Sequence, residues 1–180
     1  MKKNFSSEGI VLARRSYGEA DRIVSIYSKH FGRLSFIAKG IRRPTSRKRA
    51  SLEVFTHINF FAHQGKGLDL ILETEIIDSY REIRKSLKKV SLAYFFCEVV
   101  GRITREEEKN LELYDLLVGY LEILKTDKNL KTLRLKFIYD VLVLMGFWPK
   151  GKPIPNPDAL LEAVLERRLS SLRVGKKLLS

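Results

Sequence analysis

The sequence holds a single cysteine, Cys97, among 180 residues. One thiol excludes an intrachain disulfide and any zinc cluster built on cysteine. Cys97 sits in the aromatic and aliphatic run Leu92 to Val100, where core packing is its expected role and an apolar setting raises a thiol's pKa. Histidine is nearly as scarce: His30, His57 and His63 fall in a turn, a strand and a hairpin, without paired metal-ligand spacing. Glutamine occurs once, at Gln64, amid many Lys and Glu, a bias that leans towards a thermophilic source. No apolar stretch approaches the roughly 20 residues of a membrane helix. Met1-Lys2-Lys3 runs into polar Ser6-Ser7-Glu8 rather than an apolar leader core. A cytoplasmic protein with no membrane partner is expected.

Acidic residues are absent from Arg22 to Leu52, while Arg22, Lys29, Arg33, Lys39, Arg42, Arg43, Arg47, Lys48 and Arg49 are all cationic there. Overall net charge is +13, which fits a nucleic-acid partner, an anionic membrane surface or plain solubility. Local density favours the first. The stretch Lys39 to Arg49 packs six cations into eleven residues, four of them Arg, with Gly40 and Pro44 as breakers. Arginine makes planar, bidentate contacts with phosphate. A charge run is often only a solvated face, but this one joins two expected strands and so forms a mobile basic arm beside a sheet.

Period-two patterning predicts five strands: residues 8–14, 22–28, 33–39, 52–61 and 68–75. In the third, Leu34, Phe36 and Ala38 alternate with Arg33, Ser35 and Lys39, placing Arg33 and Lys39 on the outer face. Turns fall at Tyr17-Gly18-Glu19, His30-Phe31-Gly32 and the His63–Gly67 hairpin. Five short strands without intervening helix predict an α+β chain opening with a five-stranded OB-fold barrel over 1–80. An all-α domain then spans 81–180, with helices over 87–103, 111–124 and 130–145. Leu130, Leu133, Phe137, Val141 and Met145 form a stripe on the third. A Pro-rich linker near 149–157 leads to a last helix from Ala159 to about Leu172, which Asp158 is placed to cap.

No catalytic motif emerges, and the chain reads as non-enzymatic. Gly65-Lys66, Gly151-Lys152 and Gly175-Lys176 lack the spacing of a phosphate-cradling loop. Glu73, Glu75 and Asp78 have the residue types to hold Mg²⁺ for a nuclease. The simpler reading makes Glu73 and Glu75 outward positions of a strand with Leu70 and Leu72 inward, and Glu106-Glu107-Glu108 a helix boundary. OB barrels bind single strands by a cationic groove and stacked aromatics, each stack contributing about 1–3 kcal/mol. Tyr17, Tyr27 and Phe31 are the stacking candidates, core packing being the stronger reading for Phe31.

The run GIVLARRSYGEADRIV at Gly9–Val24 resembles the opening of RecO proteins, as do FGRLS at Phe31–Ser35, AKGIRR at Ala38–Arg43, LEVF at Leu52–Phe55 and GLDL at Gly67–Leu70. Leu133-Arg134 through Leu144–Phe147 is similar to the helix preceding the zinc region of that family. The resemblance covers residues 1 to about 150. It implies a DNA repair and recombination mediator that binds single- and double-stranded DNA, anneals strands and assists RecA loading. RecR and the C-terminal tail of single-stranded-DNA-binding protein are the implied partners. By position, the implied DNA contacts are Arg14, Arg33, Lys39, Arg42, Arg43, Arg47 and Arg49; Lys131 and Arg134 are proposed for the tail. Many members carry a four-cysteine zinc module where Pro149–Pro157 stands here without cysteine. The expectation is therefore a short form with no cofactor. The rival is a generic single-stranded nucleic-acid binder without mediator activity.

Overall fold

The structure is a computed structural model and describes residues 3–165. Five strands form a closed barrel in the order β1-β2-β3-β5-β4: β1 Asn4–Tyr17, β2 Asp21–Ser28, β3 Gly32–Ala38, β4 His57–His63 and β5 Asp69–Asp78. All pairings are antiparallel except β3 with β5. This is the OB-fold expected from the strand pattern. β1 is long enough to serve two neighbours, its first half pairing β4 and its second β2. A register shift between Val11 and Ala13 lets it turn from one to the other. At Gly9 the strands come so close that an added Cβ would collide with Ile26.

Inside the barrel, Val11, Val24, Ile26, Leu34, Phe36, Ile58, Phe60 and Ile71 form one buried cluster. On β3 the period-two reading holds, with Leu34, Phe36 and Ala38 buried and Arg33 and Ser35 partly exposed. On β5 it fails by one residue. Ile71 is buried and Leu72 exposed, because a register shift opposite Phe61/Ala62 moves the strand's alternation.

The fourth strand begins at His57, five residues later than the expected 52. Leu52, Val54 and Phe55 are all buried, but as anchors of a turn. Phe55 adopts φ 57°, so the consecutive residues Val54 and Phe55 both pack inward, which no strand allows. Nor are residues 39–56 a free arm. Ile41 and Leu52 belong to the barrel core, and Lys48 Nζ donates to the carbonyls of Ile71 and Leu72 at 3.2 and 3.1 Å.

The described residues fall into two compact units, residues 3–80 with Thr104–Leu111, and Arg81–Ile103 with residues 112–165. The segment carrying Glu106-Glu107-Glu108 therefore belongs to the barrel unit. The second unit comprises α1 Arg81–Arg84, α2 Leu87–Ile103, α3 Leu111–Thr126, α4 Leu130–Leu144 and α5 Pro157–Val164. Its centre is aromatic. Phe96 and Phe137 lie 4.2 Å apart between ring centroids, with Phe95 and Tyr120 packed edge-on around Phe137. Such pairs contribute about 0.5–1.5 kcal/mol beyond area burial. Cys97 is buried in α2. Asn129 caps α4. Asn156, not Asp158, caps α5, accepting from Ala159 N at 3.1 Å, and Pro157 opens the helix. The rest of the expected last helix, 166–172, lies outside the described residues. Among the described residues no helix is long and apolar enough to cross a membrane.

Candidate nucleic-acid interface

The basic loop leaves β3 at Lys39 and folds through a series of turns towards the β1–β2 turn. Gly40 N donates to Asp21 Oδ1 at 2.7 Å and Arg42 N to the Ala20 carbonyl at 2.9 Å. Arg42 Nη1 reaches the Gly18 carbonyl at 3.3 Å. Turn bonds from Arg43 N to Gly40 O and from Ser46 N to Arg43 O continue the path. These bonds hold the backbone at several points, while Lys39, Arg42, Arg43, Arg47 and Arg49 remain exposed. Lys48 is committed to the β5 backbone instead.

The turn that replaces the start of the fourth strand carries Glu53, and Arg14 from β1 pairs with it at 2.5 Å. Arg22 stands in the same neighbourhood. Its pKa is lowered, first by partial burial and next by the Arg14 charge; Glu53 acts the other way, and Arg42 and Arg49 lower it further. Four arginines from β1, β2 and the loop thus share a neighbourhood with one carboxylate. Like charges so gathered favour an anion that offsets their repulsion. Arg22 is not among the implied contacts. Its place opens the acid-free run, but only the barrel brings it beside Arg14 and Arg49.

The outer face of β1-β2-β3 is a shallow groove. Ala13, Ser25 and Ser35 form its floor, because Ala13 pairs opposite Ser25 and Ser25 opposite Ser35. Small side chains keep this row low, and Arg14 and Arg15 flank it. Arg33 lies at the far end with its side chain 23% exposed, its Nη1 3.7 Å from Glu106. All seven residues of the implied DNA set therefore belong to the barrel unit. Five are exposed, while Arg14 and Arg33 each face a carboxylate.

Among the stacking candidates, Tyr17 is 49% exposed at the end of β1 and Phe31 is 40% exposed in the β2–β3 turn. Tyr27 is fully buried and donates to the Asn110 carbonyl at 3.3 Å. It is a packing residue, and Phe31, expected in the core, is accessible together with Tyr17. Two-residue alternation could not reveal this, because the segment covering Tyr27 is distant in sequence.

The two residues proposed for a peptide tail part company. Lys131 is exposed on α4. Arg134 is 6% exposed, ion-paired with Asp158 and seated 4.6 Å over the Phe95 ring. It is an internal fastening of the helical unit rather than a surface cation. Glu73 and Glu75 are exposed on β5, and Asp78 accepts from Tyr80 N. Among the described residues no three His, Cys, Asp or Glu side chains group to hold a metal.

Residues 1–80 match the family model described as Recombination protein O N terminal, and residues 84–151 the model described as Recombination protein O C terminal. The DNA repair protein RecO of Pelotomaculum thermopropionicum is 33% identical over 147 residues, covering 82% of this chain and 57% of its own length. That of Bacillus mycoides is 33% identical over 142 residues, 79% of this chain and 57% of the relative. That of Symbiobacterium thermophilum is 30% identical over 146 residues, with 81% and 58% covered. The chain thus spans somewhat over half the length of the curated relatives it matches.

Proposed function

This chain belongs to the RecO family, and on that premise we propose that it serves DNA repair as a non-enzymatic mediator. It binds single- and double-stranded DNA through the barrel unit and brings complementary strands together. With RecR it assists the loading of RecA, and it engages the tail of single-stranded-DNA-binding protein. The work is done in the cytoplasm, at the nucleoid. The observation that carries the reading is the loop from Lys39 to Arg49. Its backbone is tied to the barrel, its cations are exposed, and two of them, Arg42 and Arg49, share the neighbourhood of Arg14 and Arg22 from β1 and β2. A held cationic surface loses less freedom on binding than a floppy one. Two strands bound on such a surface repel each other less, so pairing is faster. Binding and annealing of this kind break no bond and need no metal or nucleotide. For the tail, Lys131 is the exposed cation on α4.

Fluorescence anisotropy of a labelled oligonucleotide across a salt series tests the reading. For single strands log K falls with log salt by about 0.7 per phosphate neutralised. Changing Arg42, Arg43, Arg47 and Arg49 together to Ala should flatten the slope by two contacts or more, about 1.4. An unchanged slope would mean the loop is only a solvated surface.

A further inference from the structure

Residues 104–111 lie against the barrel's outer face and bring an acidic triplet to the groove. Glu107 N donates to the Arg33 carbonyl at 2.9 Å, and Glu106 makes an isolated parallel bridge to Arg33. The fit is close. Gly32, at φ 73°, has no room for a Cβ against the Glu108 carbonyl, and Tyr27 holds the far end at Asn110. So fixed, Glu106 receives a hydrogen bond from Ser35 Oγ at 2.8 Å, and Arg33 Nη1 lies 3.7 Å from the same carboxylate oxygen. Its side chain joins Arg15, Ser25 and Ser35 in lining the groove.

We infer that Glu106 is a built-in competitor for nucleic-acid phosphate, occupying the anion position between Ser35 and Arg33 on the outer face of β3. The inference rests on the DNA-binding reading above. A carboxylate oxygen shared by a hydroxyl and a guanidinium stands where a phosphate oxygen would stand. Arg33 remains reachable from solvent beyond this contact, its side chain being 23% exposed. Glu106 is 55% exposed on its side chain, so the pair is weak and readily exchanged. A single stray phosphate gains little by displacing it. A strand already held by the basic loop gains Arg33 as one further contact, so the device favours extended polyanions over isolated ones.

The test uses the full chain, a labelled single-stranded oligonucleotide and anisotropy. Glu106→Gln keeps shape and removes the charge; Glu82→Gln on α1 is the control for one lost negative charge. Glu106→Gln should bind about two- to fivefold tighter than Glu82→Gln. Its salt slope should steepen by at most about 0.7, because a phosphate that shares Arg33 with Glu106 in wild type is then neutralised in full and gives up its own counterion. Arg33→Ala should cost more affinity in the Glu106→Gln background than in wild type. If Glu106→Gln binds no tighter than the control, or Arg33→Ala costs the same in both backgrounds, the competitor role is overturned while DNA binding stands. Wild type that fails to bind the oligonucleotide overturns the DNA-binding reading and the competitor with it.

Discussion

Tyr27 shows how one side chain joins segments far apart in sequence. It pairs opposite Arg33 across β2 and β3, is fully buried, and bonds to Asn110. Burial, and after it the Glu108 charge, push its pKa from 10.0 to about 12. A phenol whose folded pKa exceeds its unfolded one stabilises the fold fully below the unfolded value, here 10.0. That stability is lost as pH climbs towards 12. Wild type should therefore lose up to about 2–3 kcal/mol more than Tyr27→Phe across that window, read by urea unfolding at stepped pH. Parallel pH dependences for the two proteins would show that the phenol does not titrate with unfolding. Arg33 makes the complementary point. Its role follows from residues 104–111, which no local pattern connects to β3.

Among the elements, α4 and α5 are joined through a charge. Arg134 pairs with Asp158 while lying over Phe95 of α2. Removing one member of a buried pair strands the other, at a cost of about 3 kcal/mol. Arg134→Met should lower the urea midpoint accordingly, with a smaller change in affinity for an acidic-apolar tail peptide than Lys131→Ala produces. If Arg134→Met leaves the midpoint in place, the pair is dispensable. The helices themselves are legible in the sequence: α2 begins and ends at the expected residues, and α3 and α4 agree to within two. Amphipathic spacing reports burial directly when a helix packs on a single core. Asp158 misleads because an acidic residue in a first turn and a capping residue look alike in sequence. Asn156, two positions earlier, has the capping geometry, and that frees Asp158 for Arg134.

At the scale of the whole molecule, charge of one sign dominates, with net +13 over 180 residues. Annealing should depend on it steeply. Wild type should accelerate pairing of complementary oligonucleotides, and that rate should drop about tenfold or more between roughly 50 and 200 mM salt. The variant with Arg42, Arg43, Arg47 and Arg49 changed to Ala should anneal slowly even at the lower salt; stopped-flow fluorescence of a donor–acceptor pair reads both. Tight binding by wild type with no acceleration would favour a plain single-strand binder over a mediator.

Strand count, helix positions and the acid-free cationic run are properties of neighbours in the chain, and the sequence alone determines them. Alternation and helical spacing are local consequences of which side chains leave water, so five strands, an OB barrel and three of the helices follow from the residue pattern. What only the tertiary structure decided are the meetings of distant residues. These are Arg22 beside Arg14 and Arg49, Glu53 on Arg14, Arg134 on Asp158, and Glu106 on Ser35 and Arg33. Each depends on barrel closure, a left-handed turn at Phe55, the segment 104–111 returning to β3, or α5 packing on α4. Such contacts are set by packing of the whole unit, and no period along the chain encodes them.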